Sequence, residues 1–172
     1  GFASSASEVT AECNPESLDR DKAAALLDLG VERLSIGFQS LDPQTLELFG
    51  RVHDVDQSFR AYEAARAAGV QRVNIDLIFA APGHSAEAWR GALERILALA
   101  PDHISAYNLA FEEDTVFSRW LEQGKLQRQP DELELELFHL TRELARRAGL
   151  EAYEISNYAR PGAECLHNLN YW

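Results

Sequence analysis

Apolar residues fall in two rhythms along this chain, and the switch from one to the other recurs. Leu18 to Leu29 is an Ala/Leu-rich stretch that reads as a helix, Gly30 stops it, and Arg33 to Phe38 continues in the alternation of a strand. The same change comes at Ala68-Gly69-Val70 and at Ala148-Gly149-Leu150. A glycine just past a periodic apolar run supplies the left-handed conformation that closes a helix. A fourth copy, Leu99-Ala100-Pro101, reads as a helix stopped by proline. The copies lie about 30 to 40 residues apart, the length of one βα unit. Repeated βα units predict a parallel sheet covered by helices, with chemistry where the strands run out into loops.

The remaining elements follow from local signals. Glu8 to Cys13 reads as a short strand. Asp42-Pro43 opens a short helix, Asp56 is the predicted cap of one running to Ala68, and Ser85 caps one running to Leu99. Val73 to Phe79 is the clearest strand, ended by Ala80-Ala81-Pro82-Gly83, and His103 to Leu109 is the next. A helix is predicted over Thr115 to Gln123. Asp131 and Glu134 have the capping-box spacing before Leu133, Leu137, Leu140, Leu144 and Ala148, which lie on one helical face. Ala152 to Ile155 is the last predicted strand, followed by a loop to the end.

Composition narrows the function classes. The chain has 172 residues, 46% of them apolar and 26% charged, enough for one hydrophobic core. No apolar run has the length of a membrane span. A net charge of −12 opposes nucleic acid and anionic membranes as partners and leaves small molecules or proteins. Cys13 and Cys165, the only two cysteines, have no local metal spacing and point to a reducing cytoplasm. Residues 1–7 are small and mostly polar and read as a leader or cloning remnant, and Tyr171-Trp172 stops in mid-motif; residues 8–172 are expected to be an internal part of a longer protein whose C-terminal region lies beyond them.

Polar residues gather at the expected strand ends: Glu12 with Asn14, Gln39 with Ser40, Asp76 inside an apolar strand, Asn108, and Glu154 with Asn157. In a barrel whose lumen is packed with apolar side chains, a carboxylate needs a hydrogen-bonding partner or a ligand. Both readings are open for Asp76 and Glu12, and Gln39-Ser40 also fits ordinary turn chemistry. His53, His84, His103 and His139 show no metal spacing and read as structural or surface residues. Metal ligands are not expected in this chain.

In order and spacing, Glu8-Val-Thr-Ala-Glu12-Cys-Asn-Pro15, Arg33-Leu-Ser-Ile-Gly-Phe-Gln39-Ser40, Gly50-Arg51-Val-His53, Asn74-Ile-Asp76-Leu-Ile-Phe and His103-Ile-Ser-Ala-Tyr107-Asn-Leu resemble the radical S-adenosylmethionine (SAM) family of oxygen-independent coproporphyrinogen III oxidases. The ending, Tyr153-Glu-Ile-Ser-Asn157-Tyr-Ala-Arg-Pro-Gly162 and His167-Asn168-Leu-Asn-Tyr171-Trp172, is similar to the branch regarded as haem chaperones. The resemblance implies a partial (β/α) barrel with parallel strands and outer helices. It implies that Glu12 holds the amino group of SAM, that Gln39 and Arg51 contact its ribose and carboxylate, that Asp76 lies near the ribose and Ala110 by the adenine. His167 in His-Asn-x-x-Tyr-Trp is implied as a haem ligand, with Tyr171 and Trp172 stacking on the porphyrin; packing of that segment is the alternative. The function implied is haem binding and delivery to a client protein. Oxidation of coproporphyrinogen in haem biosynthesis, or a non-catalytic βα interaction module, are the alternatives.

The family holds a [4Fe–4S] cluster on a CxxxCxxC loop, and this sequence has no such loop. Its Gly-Leu-Pro-Gly-Gln turn is replaced by Ala80-Ala81-Pro82-Gly83-His84. This chain alone is therefore expected to be catalytically inactive.

Overall fold

The computed structural model describes residues 8–171, the last by its backbone alone. The expectations for residues 1–7 and for stacking by Tyr171 and Trp172 lie outside the described residues. The chain order is β1 (Thr10–Cys13), α1 (Arg20–Asp28), β2 (Arg33–Gln39), α2 (Pro43–Leu48), α3 (Val55–Ala67), β3 (Arg72–Phe79), α4 (Ala86–Ala98), β4 (His103–Asn108), α5 (Val116–Glu122), α6 (Asp131–Arg147), β5 (Glu151–Ala152), β6 (Asn157–Ala159) and α7 (Leu166–Tyr171). The sheet order is β1-β2-β3-β4-β6-β5. The first four strands are parallel neighbours joined through helices. The result is an open (β/α) half barrel with β1 and β5 at its edges.

The recurring helix stops have the expected geometry, with φ of 91° at Gly30, 95° at Gly69 and 81° at Gly149. The residue after each glycine donates its N–H to the carbonyl five residues back, as Val31 does to Leu26 and Val70 to Ala65. At the fourth copy Ala100 itself adopts φ 51°, and Pro101 has no N–H to give. The proline therefore does not replace the glycine; an alanine takes its strained conformation, held by one bond from Ala100 N to the Leu97 carbonyl.

Two helix starts differ from expectation. The cap of α3 is Asp54, which forms a complete capping box with Gln57, and Asp56 lies inside the first turn. Helix α6 has no side-chain cap: Pro130 precedes it, its carbonyl accepts from Leu133 and Glu134, and Asp131 and Glu134 face the positive end of the helix dipole instead.

The sheet has two unlike faces. Leu34, Ile36 and Phe38 of β2, Val73, Ile75, Leu77 and Phe79 of β3, and Ile104 and Ala106 of β4 are buried in the core against the helices. Trp89 of α4 and Leu137, Leu140 and Leu144 of α6 close this layer, and the Trp89 indole donates to Thr141 Oγ1 at 2.9 Å. The opposite face, toward the barrel axis, presents Thr10, Glu12, Arg33, Ser35, Asn74, Asp76, His103, Ser105 and Tyr107. This face of the lumen is thus polar along the strands and not only at the strand ends where the sequence gathered polar residues. Strict alternation along each strand makes this possible, because neighbouring residues point to opposite faces.

The C-terminal region also departs from expectation. The strand predicted over Ala152–Ile155 is only Glu151–Ala152, and a second strand, β6, returns antiparallel between it and β4. Where a loop was expected to the end, residues Leu166–Tyr171 form the short helix α7.

Candidate functional site

The polar face lines a cavity of about 830 Å³. Strand register builds its wall in rows: Glu12 pairs with Ser35, Ser35 with Asn74, and Asn74 with His103. One row nearer the strand ends, Gly37 pairs with Asp76 and Asp76 with Ser105. Asp76 accepts from Ser35 Oγ at 2.6 Å and from Asn74 Nδ2 at 2.7 Å. Burial pushes its carboxyl pKa above the ordinary value, the neighbouring Glu12 charge adds to that, and the hydrogen bonds from Ser35, Asn74 and Ser105 oppose it.

At the end of β2 the chain makes a tight three-residue turn: Ser40 N–H bonds back to the Phe38 carbonyl at 2.8 Å, leaving Gln39 at φ 64°. A non-glycine residue held there carries strain that often marks a functional site. Gly37 has the reciprocal role. A Cβ at this position would lie 2.7 Å from Gln39 Nε2, so only glycine leaves the Gln39 amide its place over the strand.

The floor is an ion-pair cluster. Buried Arg33 donates to Glu8 Oε2 through Nε at 3.2 Å and through Nη2 at 3.0 Å, and Arg72 Nη1 reaches the same oxygen at 3.0 Å. Burial works to raise the Glu8 carboxyl, but the Arg33 hydrogen bonds and charge, with the Leu166 N–H, outweigh it and hold the pKa below the usual value. Beside it His103 is pushed down to about 3, by burial first and then by the Arg33 charge, with Glu8 opposing. His103 is therefore a neutral, hydrogen-bonded member of the cavity wall.

Glu12, Gln39, Asp76, Ala110 and His167 all line this one cavity. Arg51 does not. Its backbone N–H bonds to the Leu46 carbonyl past the left-handed Gly50, and its Nε is buried with no partner among the described residues. Glu154 is also absent from the wall, because its carboxylate accepts from Ile155 N, Ser156 N and Asn157 Nδ2 within its own turn. Sequence reasoning missed Arg33, Ser35, Asn74, His103 and Glu8 as site residues. Their signal was present: polar residues at alternate positions within buried strands.

The family description "Radical SAM superfamily" matches residues 3–96, just over half of the chain. The chain therefore belongs to the radical SAM superfamily. Over 166 residues it is 37% identical to "Heme chaperone HemW" of Bacillus subtilis, covering 96% of this chain and 44% of that protein. Over 166 residues it is 40% identical to "Radical S-adenosyl methionine domain-containing protein 1, mitochondrial" of Mus musculus, covering 96% of this chain and 38% of that one. Its fold matches the solved coproporphyrinogen III oxidase HemN of Escherichia coli with TM-score 0.77 and 27% identity, over 90% of this chain and 35% of that chain. The chain thus spans less than half the length of these relatives.

Family membership implies SAM and a [4Fe–4S] cluster. The residues present suit SAM: the volume lies in the range of about 300–1,000 Å³ typical of small-molecule sites, with carboxylates for an ammonium and for hydroxyls. They do not suit the cluster. Cys13 and Cys165 are free, and no group of three or more His, Cys, Asp or Glu among the described residues is arranged to hold a metal ion. No helix among the described residues is long and apolar enough to cross a membrane.

Proposed function

We propose that this chain is the ligand-binding half barrel of a haem-handling radical SAM protein, with haem binding and delivery to a client protein as its work. The observation that carries the reading is the convergence of Glu12, Gln39, Asp76, Ala110 and His167 on one cavity, in a chain similar over nearly its whole length to proteins named haem chaperones. Glu12 receives the SAM ammonium, Asp76 and the strained Gln39 hold the ribose hydroxyls, and Ala110 gives the adenine a flat apolar contact. Arg51 does not line the cavity in this arrangement, and its contact with the SAM carboxylate would need it to reach the cavity. His167 offers an imidazole to haem iron. When bound beside a reduced cluster, SAM is a source of a 5′-deoxyadenosyl radical. Because two cysteines cannot ligate such a cluster, this chemistry needs ligands beyond the 172 residues here. The protein works in the cytoplasm, where both thiols stay reduced.

A second reading, oxidation of coproporphyrinogen III, is favoured by the likeness to HemN. Haem titration of the full-length protein separates the two, read by absorbance for the unmodified protein and for His167→Ala. A chaperone takes up haem, loses affinity in the variant and keeps SAM binding in both. Turnover of coproporphyrinogen without stable haem uptake would overturn the reading in favour of the oxidase.

A further inference from the structure

The segment that carries His167 is fastened to the cavity floor by a chain of hydrogen bonds whose direction is fixed. Asn74 commits Nδ2 to Ser35 Oγ at 2.7 Å and to Asp76 Oδ1 at 2.7 Å, which leaves its Oδ1 as the acceptor facing His103 Nδ1 at 2.6 Å. His103 must therefore carry its proton on Nδ1. Its bare Nε2 then accepts from the Tyr153 hydroxyl at 2.6 Å. With its proton so used, the Tyr153 oxygen is left as an acceptor, and it receives Asn168 Nδ2 at 3.1 Å and Cys165 N–H at 3.4 Å. From the other side Leu166 N–H donates to Glu8 Oε1 at 3.0 Å, while Arg33 Nη2 donates to the carbonyls of Ala163 at 3.0 Å and Glu164 at 2.9 Å. His167 is thus flanked on both sides by tethered residues, and its own ring stands exposed on the cavity wall.

We propose that Tyr153 is a positioning residue, whose hydroxyl fastens the 165–168 turn to the floor of the cavity and so aims His167 into it. The inference rests on the haem reading for the identity of the ligand, though not for the anchoring itself. The buried neutral imidazole of His103 suits this task. A protonated ring would donate from both nitrogens and force the Tyr153 hydroxyl to turn its proton away, toward the donors of the turn. The tether also explains why an antiparallel excursion through β5 and β6 is built here: it brings Tyr153 beside His103 at the floor of a parallel sheet.

The test uses the full-length protein, its Tyr153→Phe variant and Asn168→Ala as an independent cut of the same bond. Amide hydrogen exchange is followed at residues 163–171, with haem titration by absorbance and SAM titration by calorimetry alongside. Both variants should lose about three- to tenfold protection in the 165–168 turn, the size of one net hydrogen bond, with β3 unchanged. Haem affinity should fall by a similar factor with a shifted Soret band, SAM affinity should not move, and the double variant should be no worse than the weaker single one. Unchanged protection in both variants overturns the anchoring. Loosened protection with the haem affinity and Soret band of the unmodified protein overturns the aiming of His167 and leaves the haem reading standing. An unmodified protein that takes up no haem, with Tyr153→Phe still loosening the turn, removes the haem reading and supports the anchor.

Discussion

The two faces of the central sheet are made by the same strands and could hardly differ more. On β3, Val73, Ile75 and Leu77 point outward and are buried among helix side chains, while Asn74 and Asp76 between them point inward to a polar wall. The outward face gains its free energy from apolar burial and close packing. The inward face gains little of that; it holds buried charge and polar groups paired through a shared network of hydrogen bonds, in which Arg33 Nη1 has no partner among the described residues. The difference separates stability from chemistry at single-residue resolution, since adjacent positions on one strand belong to different tasks.

The largest expected effect is on the pH dependence of the inward face. His103 titrates near 3 in the fold against about 6.5 in the unfolded chain. Its folded pKa is depressed, so the unfolded state binds the extra proton, and stability is full above about 6.5 and lost as pH falls toward 3, by several kcal/mol at most. The Glu8 pair adds a separate loss that starts as pH falls through the ordinary carboxylate range and continues down to the lowered value in the fold. Urea unfolding between pH 7 and 4 should show the first loss in the unmodified protein and a much flatter profile in His103→Gln. Equal slopes for the two proteins would remove the neutral, buried imidazole from the account.

On the outward face, Ile75→Ala should cost about 2–4 kcal/mol because the side chain is fully buried and the cavity cannot collapse. Chemical denaturation measures this, and SAM affinity of the folded fraction should be unchanged. Gly37→Ala should act in the opposite sense. The clash meets only the far end of the Gln39 side chain, so stability should change by less than about 1 kcal/mol, while SAM affinity drops severalfold as the amide is displaced. Calorimetric titration beside a thermal melt distinguishes the two. The smallest effect is at the fourth helix stop: Ala100→Gly should stabilise the fold by about 0.5–1 kcal/mol by relieving φ 51°, with no effect on the cavity. A destabilised Ala100→Gly would mean that the gain in backbone freedom of the unfolded chain outweighs the strain.

Much of this organisation was legible in the sequence where local rules act alone. Glycine stops, Asp42 and Ser85 caps and the run Val73 to Phe79 are set by neighbours within a few residues, and they fall where expected. The inward face was half legible. Glu12, Gln39, Arg51 and Asp76 were expected around one SAM cleft with Ala110 by the adenine; all but Arg51 line one cavity, which His167, read separately as a haem ligand, also lines, while Arg33, Ser35 and Asn74 were not read as site residues. Their polarity acquires meaning only when register lays them side by side, and register is a long-range property. Arg51 shows the converse. Its position in a motif implies a ligand contact, but it is not among the residues that line the cavity, and its Nε is buried with no partner among the described residues. The β5–β6 excursion was least legible, because two- and three-residue strands stabilised by pairing with β4 leave almost no periodic trace.

The separation of tasks between the two faces is tested most directly by two neighbouring substitutions on β3, measured together in the full-length protein: SAM affinity by calorimetry and stability by denaturant unfolding at neutral pH. Asp76→Asn is expected to lower SAM affinity by about tenfold or more while stability holds or rises, since burial already disfavours the charged carboxylate. Ile75→Val is expected to cost about 1 kcal/mol of stability with SAM affinity unchanged. An Asp76→Asn protein that binds SAM normally but unfolds more easily, beside an Ile75→Val protein that loses SAM, would contradict the division of the sheet into a face that holds the fold and a face that holds the ligand.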